Sequence, residues 1–150
     1  NFKYIGIDIF EHDEKSNKEI IPNINFRNPL KQFYYRYVKR ENPYSLSSVK
    51  SLLKKFEKNV EIIKGDSKKI LPIIDLAEVD YVFLDGGHSY ETVKSDLNNC
   101  KIVIENNGTV LCDDYNLSYA PGVKKAIDEF SSSEQYDIKI LFERFAKIKK

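Results

Sequence analysis

Methionine is missing altogether, even at position 1, and only two of the 150 residues are cysteine. The first absence leads us to expect a domain that is incomplete on its amino-terminal side. The second argues against a disulfide framework. Cys100 and Cys112 lie in apolar surroundings suited to core packing, and a cytoplasmic location is the corresponding expectation. No apolar run approaches the ~18 residues that cross a bilayer, and no signal peptide opens the chain. Neither charge sign dominates, since 24 Lys and Arg face 23 Asp and Glu for a net charge of +1. Nucleic acid and membrane surfaces are therefore not indicated as partners. What remains is one domain's worth of chain, residues 1–150, long enough to bury an ordinary core.

The stretch VDYVFLDGGHSYETVKSDLNNCKIVIENNGTVLCDDY, from Val79 to Tyr115, carries the densest chemistry. Val79 to Leu84 reads as a buried parallel strand that stops at Asp85 and Gly86-Gly87. Val93, Leu97 and Cys100 then recur at helical spacing before Asn106-Asn107-Gly108 closes the segment. Thr109 to Cys112 reads as a second strand, ending in Asp113-Asp114. A right-handed strand, helix and strand unit brings both strand ends to one sheet edge, where open α/β sheets bind ligands. Asp85, Asp113 and Asp114 would repel one another there unless a cation lay between them. Hard carboxylate oxygens, with no Cys or His cluster nearby, suit Mg²⁺, Mn²⁺ or Ca²⁺ rather than zinc. His88, three residues beyond Asp85, can serve as general base, because an imidazole titrates near neutral pH. The plainer alternative is that Asp85 or Ser89 only caps the following helix.

The runs D-G-G-H-S-Y-E, G-T-V-L-C-D-D-Y and G-V-K-K-A-I-D-E-F resemble the class I S-adenosylmethionine-dependent methyltransferases. Within them, the branch of metal-dependent sugar O-methyltransferases from macrolide biosynthesis is the nearest likeness. Catechol-type enzymes usually carry Asp-Asn where this chain has Asp113-Asp114. The resemblance implies a Rossmann-like three-layer α/β sandwich, mostly parallel, with a C-terminal antiparallel hairpin. It implies S-adenosylmethionine as cofactor and a divalent metal, Mg²⁺ foremost, held by Asp85, Asp113 and Asp114, with His88 as the base. It further implies a small hydroxylated substrate, a sugar foremost; a homo-oligomer is compatible with it.

In order along the chain, Phe2 to Asp8 reads as a strand ending in an acid. By resemblance it is the second strand of the fold, and Asp8 meets the cofactor's ribose hydroxyls. The first strand and its glycine loop are then expected before Asn1, since no G-x-G occurs in the sequence. Glu11 to Asn28 is polar and reads as a loop, with His12 exposed. Leu30 to Tyr44 interleaves aromatic and basic residues. It fits an amphipathic helix or a surface that stacks on bases or sugars, and it is a candidate substrate-side lid. Ser45 to Lys58 predicts a helix with Val49, Leu52, Leu53 and Phe56 inward. Val60 to Lys64 predicts a strand, then Gly65-Asp66-Ser67 and a helix over Lys68 to Leu76. In the family an acid at this turn meets the adenine, so Asp66 and Ser67 are cofactor candidates, or simply helix caps. Gly122 to Phe130 predicts a helix ended by Ser131-Ser132-Ser133, and Ile138 to Phe142 and Phe145 to Lys149 predict a hairpin.

Two other classes compete. A signalling receiver shares a strand like Val79 to Asp85, but its acid pair belongs near the chain start. A non-catalytic Rossmann-like binding module is compatible with the missing glycine loop.

Overall fold

The computed structural model describes residues 2–10, 26–40 and 42–150. It divides into two compact units, residues 1–66 and 67–150. Most of the polar stretch expected as a loop, positions 11–25 with His12 among them, lies outside the described residues.

In the first unit, β1 (Tyr4–Asp8) pairs in parallel with β2 (Val60–Lys64), with Tyr4 opposite Val60 and Asp8 opposite Lys64. Parallel pairing puts both carboxyl ends on one edge, and the Gly65 amide closes that edge by donating to the Asp8 carbonyl at 2.9 Å. α1 (Pro29–Phe33) starts where Asn28 Oδ1 accepts from the Leu30 amide at 3.0 Å, with the proline at the first helical position. It widens into a π-type turn over Tyr34–Lys39. A helix was expected here, but it buries no residue; its rings pack on one another, Phe33 on Tyr37 at 5.1 Å and Phe26 on Tyr35 at 5.3 Å. α2 (Leu46–Leu52), capped by Ser45, is shorter than predicted and passes into a 3₁₀ turn, Lys54–Phe56. That tightening breaks the helical stripe, so Leu52 and Phe56, expected inside, are exposed.

The second unit begins with α3 (Ser67–Ile70), which tightens to a 3₁₀ turn over Leu71–Ile73 instead of continuing to Leu76. Pro72 has no amide to donate and does not extend an α-helix. Then follow β3 (Tyr81–Leu84), α4 (Tyr90–Glu105), β4 (Thr109–Cys112), α5 (Pro121–Glu134), β5 (Asp137–Leu141) and β6 (Phe145–Lys149). The sheet order is β3-β4-β6-β5, with β3 and β4 parallel and β6 antiparallel to both neighbours. This is a mixed α/β fold with the predicted C-terminal hairpin. β4 is largely buried, whereas Tyr81 and Phe83 of β3 are exposed. β3 is one of the two edge strands of this sheet and alternates, so its continuous apolar run does not denote burial on both faces.

α4 forms as its pattern predicts. Ser89 Oγ accepts from the Thr92 amide at 3.2 Å, and Val93, Leu97, Cys100, Val103 and Ile104 make the buried stripe. That stripe packs on Val123, Ala126, Ile127 and Phe130 of α5. Each such fully buried aliphatic side chain contributes roughly 1.5–3 kcal/mol relative to exposure. α5 runs through the three serines to Glu134, because Ser133 Oγ donates back to the Phe130 carbonyl and Ser131 is buried in the packing. At the end of α4 the left-handed residue is Asn107 (φ 65°), not Gly108. Glycine is needed at 108 for space, since a Cβ there would lie 2.7 Å from the Val103 carbonyl oxygen. Cys100 and Cys112 are free and buried, and burial pushes both thiols up to about 12, as suits core packing.

Candidate active site

β3 and β4 run parallel with Leu84 opposite Cys112, so the residues that follow each strand emerge side by side. The Asp113 amide donates to the Leu84 carbonyl at 2.9 Å, carrying the pairing one step past the strands. Asp85, Asp113 and Asp114 thus meet on the expected edge and, with Gly86, Gly87 and His88, border one small recess. The capping role open to Asp85 falls instead to Ser89.

The acids differ in environment. Asp113 and Asp114 are 7% and 6% exposed, whereas Asp85 stands at the surface. Asp113 receives Arg144 Nε on Oδ1 at 2.5 Å, Arg144 Nη2 on Oδ2 at 2.6 Å, and the Asp114 amide on Oδ1 at 2.6 Å. The Arg144 guanidinium, ahead of the backbone donor, holds the Asp113 carboxyl below its usual range. For Asp85 the balance is reversed: desolvation, then repulsion from Asp113 and Asp114, push its carboxyl up. Asp114 occupies the left-handed region (φ 61°), an uncommon conformation for a side-chain-bearing residue. Its Oδ2 lies 2.8 Å from His88 Nε2, while its buried Oδ1 has no hydrogen bond among the described residues and only Arg144 Nη2 at 3.4 Å. His88 is half exposed, and the Tyr119 ring meets its ring edge-on at 5.9 Å. Beyond Asp114, residues Tyr115 to Ser118 border an open groove of about 510 Å³ shared with Lys124, Lys125 and Asp128 of α5.

Among the described residues, no three His, Cys, Asp or Glu side chains surround a common point that could hold a metal ion. Asp113 and Asp114 close instead on Arg144 and His88. The donor set still fits a hard divalent cation: three carboxylates repel one another, and one buried oxygen, Asp114 Oδ1, has no hydrogen bond from the described residues.

The cofactor candidates lie at other strand ends. In the first unit Asp8 ends β1, exposed, with its Oδ1 accepting the Phe10 amide at 2.7 Å, and Asp66 follows β2 on the same edge. Ser67 opens the second unit and donates to Asp96 Oδ2 at 3.1 Å. Asp96 and Arg144 were not identified from sequence. Asp96 had a usable signal, because positions 93, 96, 97 and 100 share one helix face, so an acid sits in the apolar stripe. Arg144 had only its place at a hairpin tip.

The family model for a methyltransferase domain matches residues 1–115. The chain belongs to the methyltransferase domain family. Similar solved structures include the O-methyltransferase NovP, at 19% identity and a TM-score of 0.60, covering 99% of this chain and 60% of that one. CalS11, a TDP-rhamnose 3'-O-methyltransferase of calicheamicin biosynthesis, matches at 16% identity and 0.62, covering 98% and 57%. MycE of the mycinamycin pathway, in complex with Mg and SAH, matches at 14% identity and 0.51, covering 99% and 45%. At these identities the likeness is one of fold, Rossmann-like as expected, and this methyltransferase domain spans less than two thirds of each of those chains. A comparison with curated proteins found no match.

Proposed function

We propose that this methyltransferase domain moves the methyl group of S-adenosylmethionine onto a hydroxyl of a small molecule, a sugar first among them, with Mg²⁺ assisting. The family match runs from residue 1 to 115, across both compact units, which supports reading residues 1–150 as one domain. The observation that carries the reading is the His88 to Asp114 pair at 2.8 Å, set beside Asp85 and Asp113 at the carboxyl ends of two parallel strands. NovP and CalS11 are O-methyltransferases, and MycE was solved with Mg and SAH, in keeping with it.

In this reading Asp8 holds the cofactor's ribose diol, and Asp66 and Ser67 border its adenine. When bound, the cofactor supplies an electrophilic methyl group. Asp85, Asp113 and Asp114 would hold the divalent cation, whose charge would stabilise a substrate oxygen. Asp114 would serve two tasks, its Oδ2 lying 2.8 Å from the imidazole Nε2 and its Oδ1 having no hydrogen bond from the described residues. With Nε2 donating to Asp114, the lone pair of His88 is on Nδ1, and that nitrogen takes the hydroxyl proton. The Tyr119 ring, edge-on to the imidazole, helps hold its orientation. The groove bordered by Tyr115 to Ser118 is the candidate seat for the acceptor. In-line displacement then needs chiefly an aligned nucleophile.

The test is direct. Calorimetry with S-adenosylmethionine in the millimolar range gives binding heat, and methyl transfer to a nucleotide-sugar panel stops on chelation. Absence of heat with the full-length protein removes the cofactor reading; transfer indifferent to chelator removes the cation.

A further inference from the structure

We infer that Arg144 is a built-in counter-cation of the acid cluster, one that a divalent metal must displace from Asp113 before it binds. The inference rests on the metal-assisted reading above and adds to it a residue to which that reading gave no role. Arg144 takes both oxygens of Asp113, at 2.5 and 2.6 Å, and reaches Asp114 Oδ1 at 3.4 Å. These are oxygens that a cation shared by the three acids would need. Guanidinium and metal therefore exclude one another at Asp113.

The backbone around Arg144 is held in place by its neighbours. Cys112 faces Ala146 in the β4 to β6 ladder, and carrying that register two residues further sets Arg144 opposite Asp114. The Tyr115 amide donates to the Arg144 carbonyl at 2.8 Å, fixing the backbone of the hairpin tip against the loop after β4. Phe142 and Glu143, which precede Arg144, occupy the left-handed region at φ 52° and 56°, and Asp114 does so across from it. Such conformations disfavour residues with a Cβ and persist where the surroundings impose them. The side chain itself is 53% exposed and lies over the Phe145 ring, and it is long enough to swing into solvent with the backbone in place. One guanidinium against three ionised carboxylates leaves those four side chains two charges negative. That remainder attracts a divalent ion, while the fork on Asp113 stands in its way.

The experiment is a Mn²⁺ titration of the whole chain, followed by calorimetry and by the electron paramagnetic resonance of free Mn²⁺, for wild type, Arg144→Gln, Arg144→Lys and Asp113→Asn. Arg144→Gln is expected to bind Mn²⁺ about fivefold to tenfold more tightly, the worth of a bidentate but half-exposed ion pair. Arg144→Lys is expected to fall between, because an ammonium cannot hold both oxygens in a fork. In wild type, the ¹⁵N resonance of Arg144 Nε is expected to move as Mg²⁺ saturates the site, a readout that does not depend on any variant folding. Wild-type binding with no gain in either arginine variant, or an Nε resonance unmoved at saturation, overturns the displacement while leaving the metal reading in place. No binding by any form, or binding unaffected by Asp113→Asn, overturns both.

Discussion

Gly122→Ala separates two opposing effects whose magnitudes can be compared in advance. Gly122 is the second residue of α5, and its φ is not in the left-handed region. Backbone conformation therefore does not require glycine, and helix propensity alone would favour alanine by up to about 1 kcal/mol. Space decides otherwise. A Cβ at 122 would lie 2.7 Å from the Tyr90 amide nitrogen and 3.3 Å from the Tyr90 Cα. Ordinary carbon contacts begin near ~3.5 Å, so the two helix starts would have to part by several tenths of an ångström. The obstacle is backbone at the capped start of α4, not the end of a flexible side chain. Overpacking of this kind costs about 1–3 kcal/mol. We expect a net loss of about 1–2 kcal/mol, a fall in Tm of roughly 2–8 °C. Because Tyr90 follows His88 by two residues, methyl transfer should fall at least ~10-fold, as expected when a reacting group is misplaced by a fraction of an ångström. Gly86→Ala is the control for stability, since its Cβ would meet only Asp96 Oδ2, at an ordinary 3.9 Å. Thermal and urea unfolding measure both variants. A Gly122→Ala protein as stable as wild type, or more so, would refute the steric argument.

His88→Ala should cut turnover by ~10²-fold or more if the imidazole is the base. His88→Gln, which keeps a donor toward Asp114 but accepts no proton at neutral pH, should do no better; near-normal turnover in it would reduce His88 to positioning. Asp113, held below its usual range by Arg144, stabilises the fold above the ordinary carboxylate range, and that stability is lost as pH falls through its lowered folded value. Arg144→Gln should flatten this acid limb in unfolding measured across pH; an unchanged limb would show that another group carries it. Asp85 has the opposite sign, since a raised carboxyl costs stability once ionised. Asp85→Asn should therefore unfold at the same temperature as wild type or higher near neutral pH while losing metal-stimulated transfer.

What the sequence determined by itself is local. Apolar runs ending in acid located β3, β4, Asp85 and Asp113, and the spacing of Val93, Leu97 and Cys100 located the buried face of α4, because period and termination depend on residues a few positions apart. The alternating runs about Glu143-Arg144 likewise located the hairpin. Exposure was less legible: Leu52 and Phe56 lie outside because a helix tightens after them or at them, and Tyr81 and Phe83 because they share the more exposed face of an alternating strand. The charge partners were not legible at all. Asp113 and Arg144 are 31 residues apart, and no short-range pattern links them. They meet because β6 lies antiparallel to β4 in one register, and a slip of a single residue would turn the arginine to the other face. The sequence alone thus placed three acids on an edge and called for a positive charge among them. Only the long-range strand pairing decided that the chain supplies one of its own, since that choice depends on which distant strand closes the sheet and in what register.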